Sequence, residues 1–266
     1  MMLLGRRVPH LVWIVPLFLV SRLVYLTLVH PDYLFNLPED ELYQGTVAKE
    51  LLSGLHQPFF EYRADNYNGG SLVVSLITAC FFHLFGPTVF ALKLTPLLFF
   101  ALALGLWFQI LQRQVGERVA LYFAAIFICS PPLFTSYSLT VIFHSETIVL
   151  TSLSLFLFTR MMSEQNCPRS YPAWLGLTAG FGLWFSYIYG LTLLTLLLIW
   201  AWLDRTFYRT TRFALFAACC AIGFSPWLIL NAQNGFLGLV VQDNMMWDHF
   251  GIGYLLAPFS DFRSFA

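Results

Sequence analysis

Apolar residues gather in seven long runs along this chain, separated by short polar stretches: 9–29, 71–85, 88–111, 119–138, 141–159, 173–203 and 211–231. A helix that crosses a bilayer needs about 17–25 predominantly apolar residues, and most of the runs reach that length. The pattern predicts an all-α fold, a polytopic bundle of transmembrane helices. The run 173–203 is long for one crossing and has arginines at both ends (Arg169; Arg205, Arg209, Arg212). It is expected to be a hairpin of two short helices turning near "FSYIYG". The run 71–85 is short and ends in Gly86-Pro87. It is expected to lie on the outer side as a juxtamembrane or re-entrant helix, with an ordinary short span as the alternative.

Composition sharpens this picture. The chain is 58% hydrophobic and only 11% charged, with a mean hydropathy of +0.70. A soluble domain is nearer 45–50% apolar, roughly. The net charge is zero, which leaves no electrostatic footprint for nucleic acid. Four of the five cysteines sit in apolar runs and none forms a Cys-x-x-Cys pair, so they read as small apolar side chains.

Basic residues mark cytoplasmic loops. Arg6 and Arg7 put the N-terminus inside, with the first run as a retained signal anchor. Loop 30–70 then falls outside and is acidic, while Arg113, Arg118, Arg160 and Arg169 fall inside. One crossing is left between 70 and 112, assigned to 88–111. The runs 119–138 and 141–159 are expected to rise and return as single spans. The chain reads as one transmembrane module, 1–266, with a first outer loop at 30–87 and an outer tail at 232–266.

Against this oily background stands "LPEDELYQG" (37–45), where Glu39, Asp40 and Glu41 are consecutive. Pro38 can open a helix and Gly54 can close it. One or two acids would complement the helix dipole; three point to a carboxylate acting as general base or as a cation ligand. In "VIFHSETIVL" (141–150), His144 and Glu146 lie at the outer start of an apolar run, where ionisable groups are functional candidates. On a helix they would diverge by about 160°, which disfavours a shared metal face. Arg22, Lys93 and Arg63 are candidate cations for a phosphate at the membrane edge, and Arg22 alternatively snorkels to the headgroups. In "DNYNGGSL" (65–72), Asn66, Tyr67 and Asn68 can hydrogen-bond a sugar, and Gly69-Gly70 allows close backbone approach; the plain alternative is a turn before a helix. Trp13, Trp174, Trp200, Trp202 and Trp227 fall near predicted span ends, as an interfacial belt requires.

Residues 40–54, Asp40-Glu41 followed by Val47-Ala48-Lys49-Glu50-Leu51-Leu52-x-Gly54, resemble the first outer loop of the GT-C glycosyltransferases. The similarity is to the branch of protein O-mannosyltransferases and lipid A aminoarabinose transferases. It continues in order through "HLFGPTVFALKLTPLLF" (83–99), "ICSPPLFTSYSLT" (128–140) and "GFSPWLILNAQNG" (223–235), and covers roughly 10–235. The basic-Pro-Pro motif common before the second helix of that family is replaced by "DNYNGGSL". The resemblance implies transfer of a sugar from a polyprenyl-phosphate carrier to a hydroxyl of a lipid, glycan or protein. The transfer would occur at the non-cytoplasmic face of a bacterial inner membrane, with membrane lipids around the protein. It implies Asp40 as catalytic base with Glu41 beside it. Glu146, His144, Lys93, Arg22, Arg63, Asn66, Tyr67 and Asn68 become substrate-binding candidates. No cofactor is certain, a divalent cation is possible, and metal ligands are unknown. Family members are usually longer, so the tail at 232–266 reads as the start of a missing C-terminal part and a non-catalytic remnant is one alternative. The other is a transporter or lipid flippase using Glu146, His144 and Arg22 as an intramembrane relay.

Overall fold

The computed structural model describes residues 10–35, 37–56, 68–141, 145–163 and 168–233, and all of its regular elements are helical. The chain divides into two compact units, Met1–Pro226 and Trp227–Ala266. In the second, only residues up to Gln233 are described, where Asn231 Nδ2 donates to the Trp227 carbonyl at 2.9 Å. The rest of this account concerns the first unit.

Among the described residues, two unbroken helices are long and apolar enough to cross a membrane, Leu11–Val29 and Val89–Gln114. This is an integral membrane protein. The first comprises α1 (Leu11–Val24) and a wider π turn over Tyr25–Val29, closed by the His30 N–H on the Tyr25 carbonyl at 2.9 Å. It contains Pro16; in lipid, neighbouring groups and local adjustments satisfy what a proline frees. A 3₁₀ turn, Pro31–Leu34, leads to α2 (Glu39–Ser53) and α3 (Asn68–Phe85). Next comes α4 (Val89–Gln114), whose 26 residues span about 39 Å at the helical rise. The Thr88 side chain caps it by accepting the Ala91 N–H.

The run 119–138 is not the single continuous span expected. It divides into α5 (Glu117–Ile128) and a short α6 (Pro132–Tyr137). The cause lies in "SPP": Pro131 and Pro132 lack N–H donors, and a residue before proline is pushed out of the α region. The run 141–159 is likewise displaced, since α7 covers Thr147–Ser163. The run 173–203 is the anticipated hairpin, α8 (Ser170–Phe185) and α9 (Tyr189–Leu203), with the break at 186–188. The run 211–231 holds two helices, α10 (Thr211–Gly223) and α11 (Ser225–Gln233).

Among the described residues, three apolar clusters hold the first unit together. Phe18, Leu97, Phe100, Leu104 and Phe127 tie α1, α4 and α5. Ala48, Ala79, Phe82 and Leu92 tie α2, α3 and α4. Leu157, Leu175, Tyr189 and Trp200 belong to the third, across α7, α8, α9 and α10. Helices α8 and α10 meet backbone to backbone: a Cβ at Gly180 would lie 1.9 Å from the Cys220 carbonyl oxygen, and one at Gly176 would lie 2.2 Å from that of Phe216. Small residues permit such close crossings in membranes.

Trp200 corrects the belt expectation. It is 4% exposed and packs against Phe158, Phe207, Phe213 and Phe216. Trp13, Trp174 and Trp202 are outward-facing, as an interfacial residue should be.

Candidate functional site

Pro38, with φ −60° and ψ 156°, stands at the entry to α2, and the three acids fill its first turn. Successive residues rotate by about 100° around a helix, so the three carboxylates meet three environments. Glu39 is exposed, Asp40 is half-buried and Glu41 is fully buried. The same phase turns Gln44, Gly45 and Ala48 inward after Glu41. Gln44 Oε1 accepts the Ser75 hydroxyl of α3.

Glu41 does not face solvent or a bilayer. Its Oε2 accepts from Lys93 Nζ of α4 at 2.6 Å, with both side chains 0% exposed. Its Oε1 accepts the Val141 backbone N–H at 2.8 Å. Burial pushes the Glu41 carboxyl above the ordinary carboxylate range, while the Lys93 ammonium and the Val141 N–H pull it down. The face of the Tyr33 ring lies 5.8 Å from Lys93 Nζ. Lys93 is thus spent on protein partners in this structure, and is not the open cation at a span end that the sequence suggested.

Arg22 is likewise buried, at 3% exposure, and does not snorkel. Its Nε donates to Ser138 Oγ at 2.9 Å. Nη1 donates to the Ile128 carbonyl at 2.9 Å. Nη2 donates to the Phe127 carbonyl at 2.9 Å and to Ser130 Oγ at 2.7 Å. The guanidinium therefore caps the carbonyls orphaned where α5 ends. Together, Arg22 and Glu41 hold the stretch that follows α6, at Ser138 and at Val141. Through Glu41, α2 in the 30–70 loop is thereby joined to the stretch 138–141.

Glu146 is fully buried in a turn immediately before α7 rather than within a helix. Thr140 and Thr147 flank it in sequence, and their buried hydroxyls have no hydrogen-bond partner among the described residues. His144, Arg63, Asn66 and Tyr67 lie outside the described residues, as does the side chain of Asn68. The Gly69 backbone serves packing: a Cβ there would sit 2.4 Å from the Trp184 ring of α8. Close approach at Gly69 is therefore to protein. Among the described residues no three His, Cys, Asp or Glu side chains gather as metal ligands. Both Glu41 oxygens are already used.

Two features went unforeseen. The Gln44–Ser75 contact had a signal, since Gln44 follows Glu41 by one turn on the inward stripe. The rings of Tyr25, His30 and Tyr33, with centroids 5.2 to 6.3 Å apart, gather where the π turn passes into the 3₁₀ turn, a contact that spacing does not reveal.

The sequence profile of the dolichyl-phosphate-mannose-protein mannosyltransferase family matches residues 70–230. No sequence among the curated proteins matches the chain. In fold, the chain is similar to ArnT from Cupriavidus metallidurans. Against the apo crystal structure the TM-score is 0.63 at 16% identity, covering 87% of this chain and 44% of that one. Against the crystal structure bound to undecaprenyl phosphate it is 0.67 at 17% identity, covering 93% and 47%. The chain spans under half the length of those proteins.

Proposed function

We propose that this chain, which belongs to the dolichyl-phosphate-mannose-protein mannosyltransferase family, moves a sugar from a polyprenyl-phosphate carrier to an acceptor hydroxyl. The family and the GT-C fold support a glycosyltransferase. The donor class is supported by the undecaprenyl phosphate bound to ArnT, a protein of the same fold. The acceptor is a lipid, a glycan or a protein.

Asp40 is the general base. The observation that carries this assignment is its place in the first turn of α2, half-buried, one residue from a side chain pinned to two other elements. Its carboxylate takes the proton as the acceptor O–H breaks. The oxygen attacks the anomeric carbon, and the bond from that carbon to the phosphate oxygen breaks with its electron pair. A single in-line displacement inverts the anomeric centre. Arg22 and Lys93 face protein acceptors here, so Arg63 is the cation assigned to the leaving phosphate. Asn66, Tyr67 and Asn68 hold the sugar, and Glu146 with His144 faces the acceptor or a divalent cation if one binds. The distribution of arginines supports a cytoplasmic N-terminus and a reaction at the opposite face of the membrane.

The test is transfer of label from radioactive polyprenyl-phosphate sugars into lipid, glycan and protein fractions. Membranes hold wild type or Asp40→Asn at equal expression. A loss of about 10² or more, within the range for a general base, is the expected result. Equal transfer by both removes Asp40 from the mechanism. Transfer by neither, from several donors, favours the remnant or transporter reading.

A further inference from the structure

We propose that Glu41 and Lys93 are a positioning pair: they touch neither donor nor acceptor, and they set the direction of the Asp40 carboxylate. The assignment rests on the glycosyltransferase reading above and deepens it. It takes Lys93 out of the set of phosphate ligands and Glu41 out of the set of groups that meet substrate.

The geometry carries this. Both side chains are 0% exposed and their charged ends are 2.6 Å apart. The second carboxylate oxygen is taken by the Val141 N–H at 2.8 Å. Neither residue can reach a substrate without leaving its partner buried and unpaired. A buried ion pair is also a poor way to gain stability, since apolar residues of like volume often do as well or better. What it supplies is direction. Apolar burial is non-directional, so the contacts of Val47 and Ala48 hold α2 close while leaving its rotation loosely defined. Glu41 fixes the first turn to α4 on one side and to the Val141 backbone on the other. Gln44, one turn later, fixes the same face to Ser75 of α3. The Asp40 Cα is about 3.8 Å from that of Glu41. Holding one therefore aims the other.

The test uses the full chain in detergent or nanodiscs, with undecaprenyl phosphate as the binding probe. The double variant Glu41→Gln/Lys93→Met keeps side-chain volume and an acceptor for the Val141 N–H, and leaves no lone buried charge. Its kcat for sugar transfer is expected to fall by about ten- to a hundredfold, the cost of a misplaced reacting group. Its KM for the donor and its binding of undecaprenyl phosphate are expected to stay at the wild-type level. Glu41→Asp keeps the charge but shortens the reach, and is expected to lower kcat with KM unchanged. Loss of undecaprenyl phosphate binding by about tenfold, or 1.4 kcal/mol, in the double variant would make Lys93 a ligand and overturn the proposal. Wild-type kcat in both variants would overturn it too. If the double variant does not fold, Glu41→Asp decides: unchanged kcat overturns the proposal. A wild type that neither binds the carrier nor transfers sugar fails before any variant is compared. That result overturns the glycosyltransferase reading and this assignment with it.

Discussion

The Glu41 carboxylate of α2 accepts the backbone N–H of Val141, 100 residues further along the chain, at 2.8 Å. One side chain thereby ties the start of α2 to the segment that follows α6. Its other oxygen holds Lys93, so α2, that segment and the long helix α4 share a single anchor.

This arrangement separates the three neighbouring acids by experiment. Glu39→Gln removes an exposed charge worth about 0.3–1 kcal/mol at a helix N-terminus, and is expected to preserve both folding and transfer. Asp40→Asn is expected to fold normally and lose transfer. Glu41→Gln leaves Lys93 uncompensated and is expected to cost about 3–5 kcal/mol of stability. Thermal midpoints in detergent, read beside transfer, distinguish the three. Equal midpoints for Glu41→Gln and wild type would sink the account of the pair.

Arg22 spreads its donors over Ser138, Ile128, Phe127 and Ser130. Lysine presents its donors from one point and cannot reproduce the fork. Arg22→Lys is expected to lose about 1–3 kcal/mol by leaving buried acceptors unsatisfied. An unchanged thermal midpoint would show that the α5 carbonyls find other donors.

The α8–α10 crossing predicts a contrast between glycines. Gly180→Ala puts a methyl against the Cys220 carbonyl, and its overpacking cost is expected near the upper end of about 1–3 kcal/mol. Gly105→Ala in α4 meets nothing within 4 Å and is expected to be tolerated. Comparable loss of folded protein in both variants, read by size-exclusion yield, would remove the crossing as the cause.

Much of this is local and legible. Lipid obliges each spanning segment to satisfy its own backbone, so apolar runs declare helices. The hairpin in 173–203 is declared by arginines at both ends. Pro38 and the acids after it mark the start of α2, and Asp40 stands at that start whatever packs around it. The break after α5 was also written in Pro131-Pro132, but run length alone passed over it. What residue order left open is which neighbour covers which face. Helical spacing groups Glu41, Gln44 and Ala48 on one stripe, yet says nothing of Lys93, Ser75 or Val141, because those contacts depend on how α2, α3 and α4 dock. For the same reason Arg22, Lys93 and Trp200 looked like groups at a membrane surface and proved to be buried. A charge or a large ring near a span end can face lipid, substrate or protein. Only the packing of distant helices around it selects among them, by supplying or withholding the partners that make burial affordable.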